Sequence, residues 1–320
     1  MNSPWTSRAV AACLGLAGVL GLVMTGCGGD KGAADNAVVY TEPGVNVPTA
    51  GGGTSAPAPS ATTTAAAPAA TTSATPAPAA APTKSEGWGI LKGKVVFGGS
   101  PPAAEDLVEK GKAPKDETVC AKDAPIKSER LVVDGASKGV RNVLVYIPKP
   151  TAVNEAAKAA AATAKVEFDQ EKCVFEPHVL GVMNGATIAL KSSDSVNHNV
   201  NAKLKANSPF NSVLSPGQGL PFVPSAGERT PAEVTCDIHP WMKAYWLVLD
   251  SPYFAVTNEK GEFEIKNAPA GTQKVVVWQE AVGKGGFVTA ASGDEITIKA
   301  GDEPTTKDFT IDAGKILPGK

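Results

Sequence analysis

The sequence predicts an all-β protein behind an export segment and a disordered tether. Three observations carry that prediction. The 33 glycines and 26 prolines among 320 residues supply turns throughout, while aromatics make up only 6%. After residue 84, short runs of branched and apolar residues sit between those turn signals. A single stretch, Asn154 to Lys165, reads as a helix, and its run of alanines marks it as a connector. Length admits two domains on the prior of about 100–200 residues each, and hydrophobic residues at 42% are enough to fill real cores. A net charge of −2 argues against binding driven by phosphate contacts, so no nucleic-acid partner is expected. The three histidines are too few for a trinuclear copper centre, a His-rich zinc site or several haems.

The N-terminal elements read as export and attachment. Arg8 closes a weakly positive start, and Ala9 to Val23 is an uncharged apolar run. At about 15 residues it is short for a membrane span of about 20, but right for the core of a signal peptide. It ends in Met24-Thr25-Gly26-Cys27, which resembles the lipobox of bacterial lipoproteins. The resemblance implies removal of residues 1–26 and lipidation of Cys27. It also implies a place in the cell envelope, lipid-anchored to a membrane and facing the periplasm or the exterior. Residues 27–84 are expected to form a disordered tether. From Pro48 to Thr83 every residue is Ala, Pro, Thr, Ser or Gly, which cannot bury enough surface to offset ordering entropy. A flexible chain of that length reaches ~30–36 Å, a polyproline-like one ~110 Å.

The body begins with a strand signal at Gly93 to Phe97 before Gly98-Gly99, followed by Arg141 to Ile147 before Pro148. Near the other end, Asn258-Glu259-Lys260-Gly261 reads as a tight turn with glycine where a positive φ is wanted. It joins Phe254–Thr257 to Glu262–Ile265, and Pro269-Ala270-Gly271 leads into Lys274–Trp278. Together with the G-x-V-x-F and G-G-x-P-P run from Gly93 to Pro102, this resembles a carboxypeptidase regulatory-like, transthyretin-like β-sandwich. Two arrangements are open: residues 85–163 and 251–320 form one sandwich split around an insertion, or they form part of two consecutive domains.

The insertion, residues 164–250, carries the chemistry. Phe175 to Ile188 reads as strand, glycine turn and strand in the pattern F-x-P-x-x-L-x-V-x-x-G-x-T-I. His198-Asn199-Val200 follows, then Cys236-Asp237-Ile238-His239-Pro240-Trp241-Met242 and an apolar strand, Ala244 to Leu249. Lys165 to Asp250 thereby resembles the cupredoxins, and its C-x-x-H-P-x-M loop is most like that of amicyanin and pseudoazurin. The resemblance implies a Greek-key sandwich and one mononuclear copper ion bound by His198, Cys236, His239 and Met242. Two imidazoles, a thiolate and a weak axial thioether are the donors that serve both oxidation states of copper. Zinc fits less well, because a thioether is a poor zinc ligand and no fourth hard or thiolate donor is in register. By the same resemblance Asn199 links the two ligand loops, while Pro240 and Trp241 flank the outer edge of His239 as an apolar rim for electron passage. Simple core packing is the other reading of Trp241, and His178 is read as structural or solvent-facing.

The function expected is a membrane-tethered blue copper protein passing single electrons between envelope redox proteins, one donor and one acceptor. The alternative is an envelope lipoprotein that binds copper, a polysaccharide or another protein without electron transfer. No enzyme activity is expected, because the copper enzymes with this fold need further histidine-rich sites. Cys13 leaves with the signal, Cys27 is acylated and Cys236 is a ligand. Cys120 and Cys173 then remain to form a disulfide in an oxidising compartment, the alternative being two separate buried thiols.

Overall fold

The computed structural model describes residues 87–319; the expected signal segment (1–26), Cys27 and the tether (27–84) lie outside the described residues. The described chain is all-β, as the turn spacing predicts. It opens with β1 (Trp88–Gly98), β2 (Asp106–Val108), β3 (Ile126–Lys127) and β4 (Leu144–Tyr146), then a short helix α1 (Glu155–Ala162). Nine strands follow: β5 (Lys165–Glu171), β6 (Val174–Glu176), β7 (Val179–Met183), β8 (Thr187–Lys191), β9 (His198–Ala202), β10 (Phe210–Leu214), β11 (Gly219–Phe222), β12 (Ala232–Thr235) and β13 (Lys243–Leu249). The last are β14 (Phe254–Val256), β15 (Glu262–Pro269), β16 (Gly271–Trp278), β17 (Asp294–Ile298), β18 (Thr305–Thr306) and β19 (Phe309–Asp312).

Sheet membership divides the chain into an outer and an inner half. In the outer half, β1 lies between β15 (antiparallel, Lys94 opposite Glu262) and β19 (parallel, Val95 opposite Phe309). A second sheet runs β14-β4-β16-β17. Leu91, Val95 and Phe97 turn one face of β1 inward, and Val145, Val277 and Ile311 meet them in a shared core. The inner half consists of the sheets β10-β9-β12-β13-β7 and β11-β8-β5-β6, drawn wholly from the intervening stretch. Phe168 stacks on Phe175 at 5.1 Å between ring centres and meets Trp246 edge-on at 5.0 Å, filling the space between these sheets. Leu144, Tyr146, Val179, Leu247, Val276 and Trp278 form a third apolar cluster drawn from both halves.

Three details differ from the sequence reading. The helix is shorter, because Asn154 caps it by accepting the Ala157 N–H at 3.0 Å, and Lys165 already belongs to β5. The turn at 258–261 has the positive φ expected at Gly261 (+74°) but closes no hairpin. Instead β14 pairs with β4 and β15 with β1, so the turn carries the chain from one sheet to the other. A Cβ on Gly261 would lie 2.3 Å from the Val95 carbonyl, so the crossing is packed tightly onto β1. Finally, the β2–β3 segment precedes the outer strand β4 in sequence but buries Val108, Ala113, Cys120, Ala121 and Ile126 in the inner core. No helix among the described residues is long and apolar enough to cross a membrane.

Candidate metal centre

Because β12 pairs antiparallel with β9 (Thr235 opposite Asn201), the start of β9 and the end of β12 share one end of the sheet. That register brings His198, the first residue of β9, beside Cys236, the first residue after β12. The loop from Cys236 to Met242 is closed by its own backbone. Met242 N–H donates to the His239 carbonyl at 2.9 Å, and Cys236 N–H donates to the Met242 carbonyl at 3.3 Å. Donor atoms of His198, Cys236 and His239 lie within 4.8 Å of one another. All three residues are buried, as is Met242.

The orientation of the two imidazoles is the informative feature. Nδ1 of His198 faces Nδ1 of His239 at 2.9 Å, and Cys236 Sγ lies 3.8 Å from the latter. Each outward nitrogen meets a carboxylate: His198 Nε2 is 2.9 Å from Asp194 Oδ2, and His239 Nε2 is 2.9 Å from Asp116 Oδ2. A carboxylate accepts, so each Nε2 carries a proton, and with both rings neutral each Nδ1 turns a lone pair inward. Two lone pairs that close repel unless a proton or a metal cation sits between them. Burial lowers the pKa of His198, but the Asp194 and Cys236 contacts outweigh it and bring the group up to about 9. Burial also pushes the His239 pKa down, and the positive charge of His198 adds to this against the pull of Asp116. Burial raises the Cys236 pKa, yet His198 and the N–H groups of Asn199, His239 and Ile238 bring it below its ordinary value. Two imidazoles with inward lone pairs, a thiol biased toward thiolate and a thioether on the same loop form a set that fits copper.

Asp194 is itself held by a device in the backbone. Lys172 and Cys173, the two turn residues between β5 and β6, both have positive φ (55° and 57°). Their N–H groups converge on the Asp194 carboxylate at 2.7 Å each, an anion-binding nest made by a two-residue turn. With His198 added, these contacts overcome burial and keep the Asp194 pKa below its usual value. Cys173 is joined to Cys120 in a disulfide (S–S 1.98 Å). Its sulfur is thus committed, although it too lies within 4.8 Å of donor atoms of Asp194 and His198.

Asn199 Oδ1 accepts the Asp237 N–H at 2.7 Å and lies 3.3 Å from Cys236 Sγ, while Asn199 Nδ2 donates to Asp237 and Asn211. Pro240 is exposed and Trp241 half-buried. The Trp241 ring centre is 5.1 Å from that of His239, and its Nε1–H donates to the Cys173 carbonyl at 3.1 Å. Beside the expected flank of Pro240 and Trp241 the structure adds an acidic neighbour: the His239 ring has no exposed surface, and Asp116 covers its Nε2. His178 takes no part in the centre: it is buried, hydrogen-bonded to Glu280 and 3.9 Å from Glu129. The sequence reading missed both carboxylates. Asp194, four residues before His198, offered a faint signal, whereas Asp116 stands 123 residues from His239 and offered none.

No protein-family model and no curated protein matches the chain. Part of it is similar to solved cupredoxin structures. A copper-containing nitrite reductase from Thermus scotoductus is 21% identical over 26% of this chain, with a TM-score of 0.25. The chain spans only 22% of that enzyme's length. A purple cupredoxin from Nitrosopumilus maritimus is 21% identical, covering 26% of this chain and 98% of its own, with a TM-score of 0.23. Amicyanin from Paracoccus versutus is 21% identical, covering 32% of this chain and 96% of its own, also at 0.23.

Proposed function

We propose that this chain is a membrane-tethered blue copper protein that carries single electrons between redox partners of the cell envelope and catalyses no bond chemistry. The observation that carries the reading is the pair of inward Nδ1 atoms 2.9 Å apart beside a buried thiol, each imidazole fixed from outside by a carboxylate. A bound copper ion supplies the one-electron couple. The residues of the chain do the rest: His198, Cys236 and His239 would hold the ion with donors presented from fixed directions, and Met242, buried on the same loop, would offer a soft thioether. Burial keeps water out, and the paired β9 and β12 hold the donor set rigid between oxidation states. Residues 1–84 fit the same reading as a lipid anchor at Cys27 and a spacer that lets the body reach its donor and acceptor.

Stoichiometric copper loading is expected to give an intense visible band, because the thiolate supplies the charge transfer. Cys236→Ala is expected to abolish it. Met242→Leu is expected to keep the colour and shift the reduction potential, since the axial donor tunes the site. If copper gives no visible band, or if Cys236→Ala leaves the band intact, the reading fails. Full burial of His239 favours one competing reading, a copper-holding module without electron transfer. Cyclic voltammetry separates the two: a carrier cycles reversibly by one electron, whereas a holder does not.

A further inference from the structure

The segment between β2 and β3 lies against the candidate centre from outside, and three observations describe how it is held. Ala113, Cys120 and Ala121 are buried in the same apolar cluster as Cys236 and Met242, so the segment is pinned down on either side of Asp116. Its backbone is knotted on itself at Asp116, whose carbonyl accepts the N–H groups of Val119 at 2.9 Å and Cys120 at 2.8 Å. Cys120 then crosses by disulfide to Cys173, whose own N–H holds Asp194. One covalent bridge therefore connects the carboxylate behind His239 with the carboxylate behind His198. Asp116 also has a positive φ of 52°, a left-handed conformation uncommon outside glycine but one that Asp and Asn take more readily than other residues.

We infer that Asp116 is a positioning residue and that residues 109–125 form a cap over the candidate centre: from this cap Asp116 holds His239 by its outer nitrogen and shuts the imidazole edge by which an external molecule would reach the donors. The part of this inference that concerns copper rests on the function proposed above; the closure does not. A carboxylate hydrogen-bonded to a ligand imidazole fixes its tautomer and its orientation. Here that carboxylate is delivered by a segment whose neighbours in sequence belong to the outer half, so access to the centre depends on a piece of chain the inner sheets do not contain.

The test begins with the metal-free full chain. An aromatic disulfide reagent is applied, and modification at Cys236 is followed by peptide mass. Asp116→Gly removes the carboxylate and suits the positive φ, while Asp116→Asn keeps an acceptor oxygen. Asp116→Gly is expected to speed labelling of Cys236 about 10-fold or more, the factor for losing one charge-assisted bond that holds a local opening shut. Asp116→Asn is expected to stay near the wild-type rate. On copper loading, Asp116→Gly is expected to weaken metal retention about 10–100-fold, as loss of a partner behind a ligand imidazole does. Labelling of Asp116→Gly at the wild-type rate, with unchanged circular dichroism, overturns the cap. If Asp116→Gly does not fold, Asp116→Ser, too short to reach His239, takes its place; failure of both to fold overturns the positioning role by making Asp116 a requirement of the fold. Absence of a visible band in the copper-treated wild type defeats the proposed function, and the labelling rates still decide the cap.

Discussion

A single amide on β9 spans the two stretches of chain that supply the donors. Asn199 Oδ1 accepts the Asp237 N–H at 2.7 Å, and its Nδ2 donates to Asp237 Oδ2 at 2.9 Å, so one side chain closes a ring with one residue of the opposite loop. Asn199→Ala leaves the half-buried Asp237 N–H without its acceptor, while the exposed Asp237 carboxylate keeps Asn201 and Asn211 as donors. The expected loss is about 1–3 kcal/mol in urea unfolding, the cost of leaving a partly buried polar group unsatisfied. Asn199→Asp keeps the acceptor but sets a second carboxylate against Asp237, so its loss is expected to exceed that of the alanine variant at neutral pH. A loss that is smaller for the aspartate variant contradicts the role assigned to the Nδ2 donor. At this scale His198, Cys236, His239 and Met242 were named from the resemblance of their two loops to a known ligand pattern; the structure buries all four and gathers donor atoms of the first three within 4.8 Å of one another. The carboxylates behind them went unnamed, since a hydrogen bond across 123 residues leaves no mark on local spacing.

Between elements, the two halves meet at one point as glycine against aromatic. Gly181 on β7 faces the Phe254 ring of β14, and a Cβ built there would stand 2.7 Å from Phe254 Cδ2. Gly181→Ala is expected to destabilise by about 1–3 kcal/mol through overpacking, read as a lower midpoint in denaturant. Gly181→Ala with Phe254→Leu is expected to recover part of that loss, since the double variant makes room at the contact; strictly additive losses would show that the ring is not the obstacle. The strands themselves were legible wherever an apolar run met a glycine turn, as at Val179–Met183, Gly185 (φ +86°) and Thr187–Lys191. Two features escaped for definite reasons. Gly261 gave the turn but not the sheets it connects, because a positive φ is the same in a hairpin and in a crossing. The β2–β3 pair is three residues against two, too short for any period to show, and its importance comes from packing onto a half of the molecule that begins some forty residues later.

Across the whole molecule, the halves share an apolar cluster and one buried charged group. His178 on the inner side is hydrogen-bonded to Glu280, with Glu129 at 3.9 Å, both from outer-half sequence. Burial alone lowers the His178 pKa, but the two carboxylates outweigh it and the net shift is upward. A raised folded-state pKa means that the folded chain holds the proton more tightly than the unfolded one. The stabilisation is then fully present below the ordinary histidine pKa of about 6.5 and fades as pH rises through the folded value. Metal-free wild type is accordingly expected to lose stability on going from about pH 6 to about pH 9. His198, raised to about 9, contributes to the same loss, so the difference between wild type and His178→Gln isolates the interface pair. A pH slope identical in the two proteins refutes the clamp. At neutral pH, His178→Ala leaves the buried Glu280 carboxylate with the Tyr245 hydroxyl but no cationic partner, and is expected to cost about 3 kcal/mol.

The path of β1 has a temporal consequence. Lys94 N–H donates to Asp308 at 2.8 Å, a partner that lies 214 residues further along. At about 5–20 residues per second, a growing chain exposes Lys94 on the order of 10–40 s before that partner is made. The strands of the inner half are complete by Leu249, and Cys120 and Cys173 are both made before that point. Order of synthesis therefore runs opposite to the nesting of the sheets in the sequence. The enclosed strands, the donor residues and both bridge cysteines are all synthesised before the last partners of the strand that frames them.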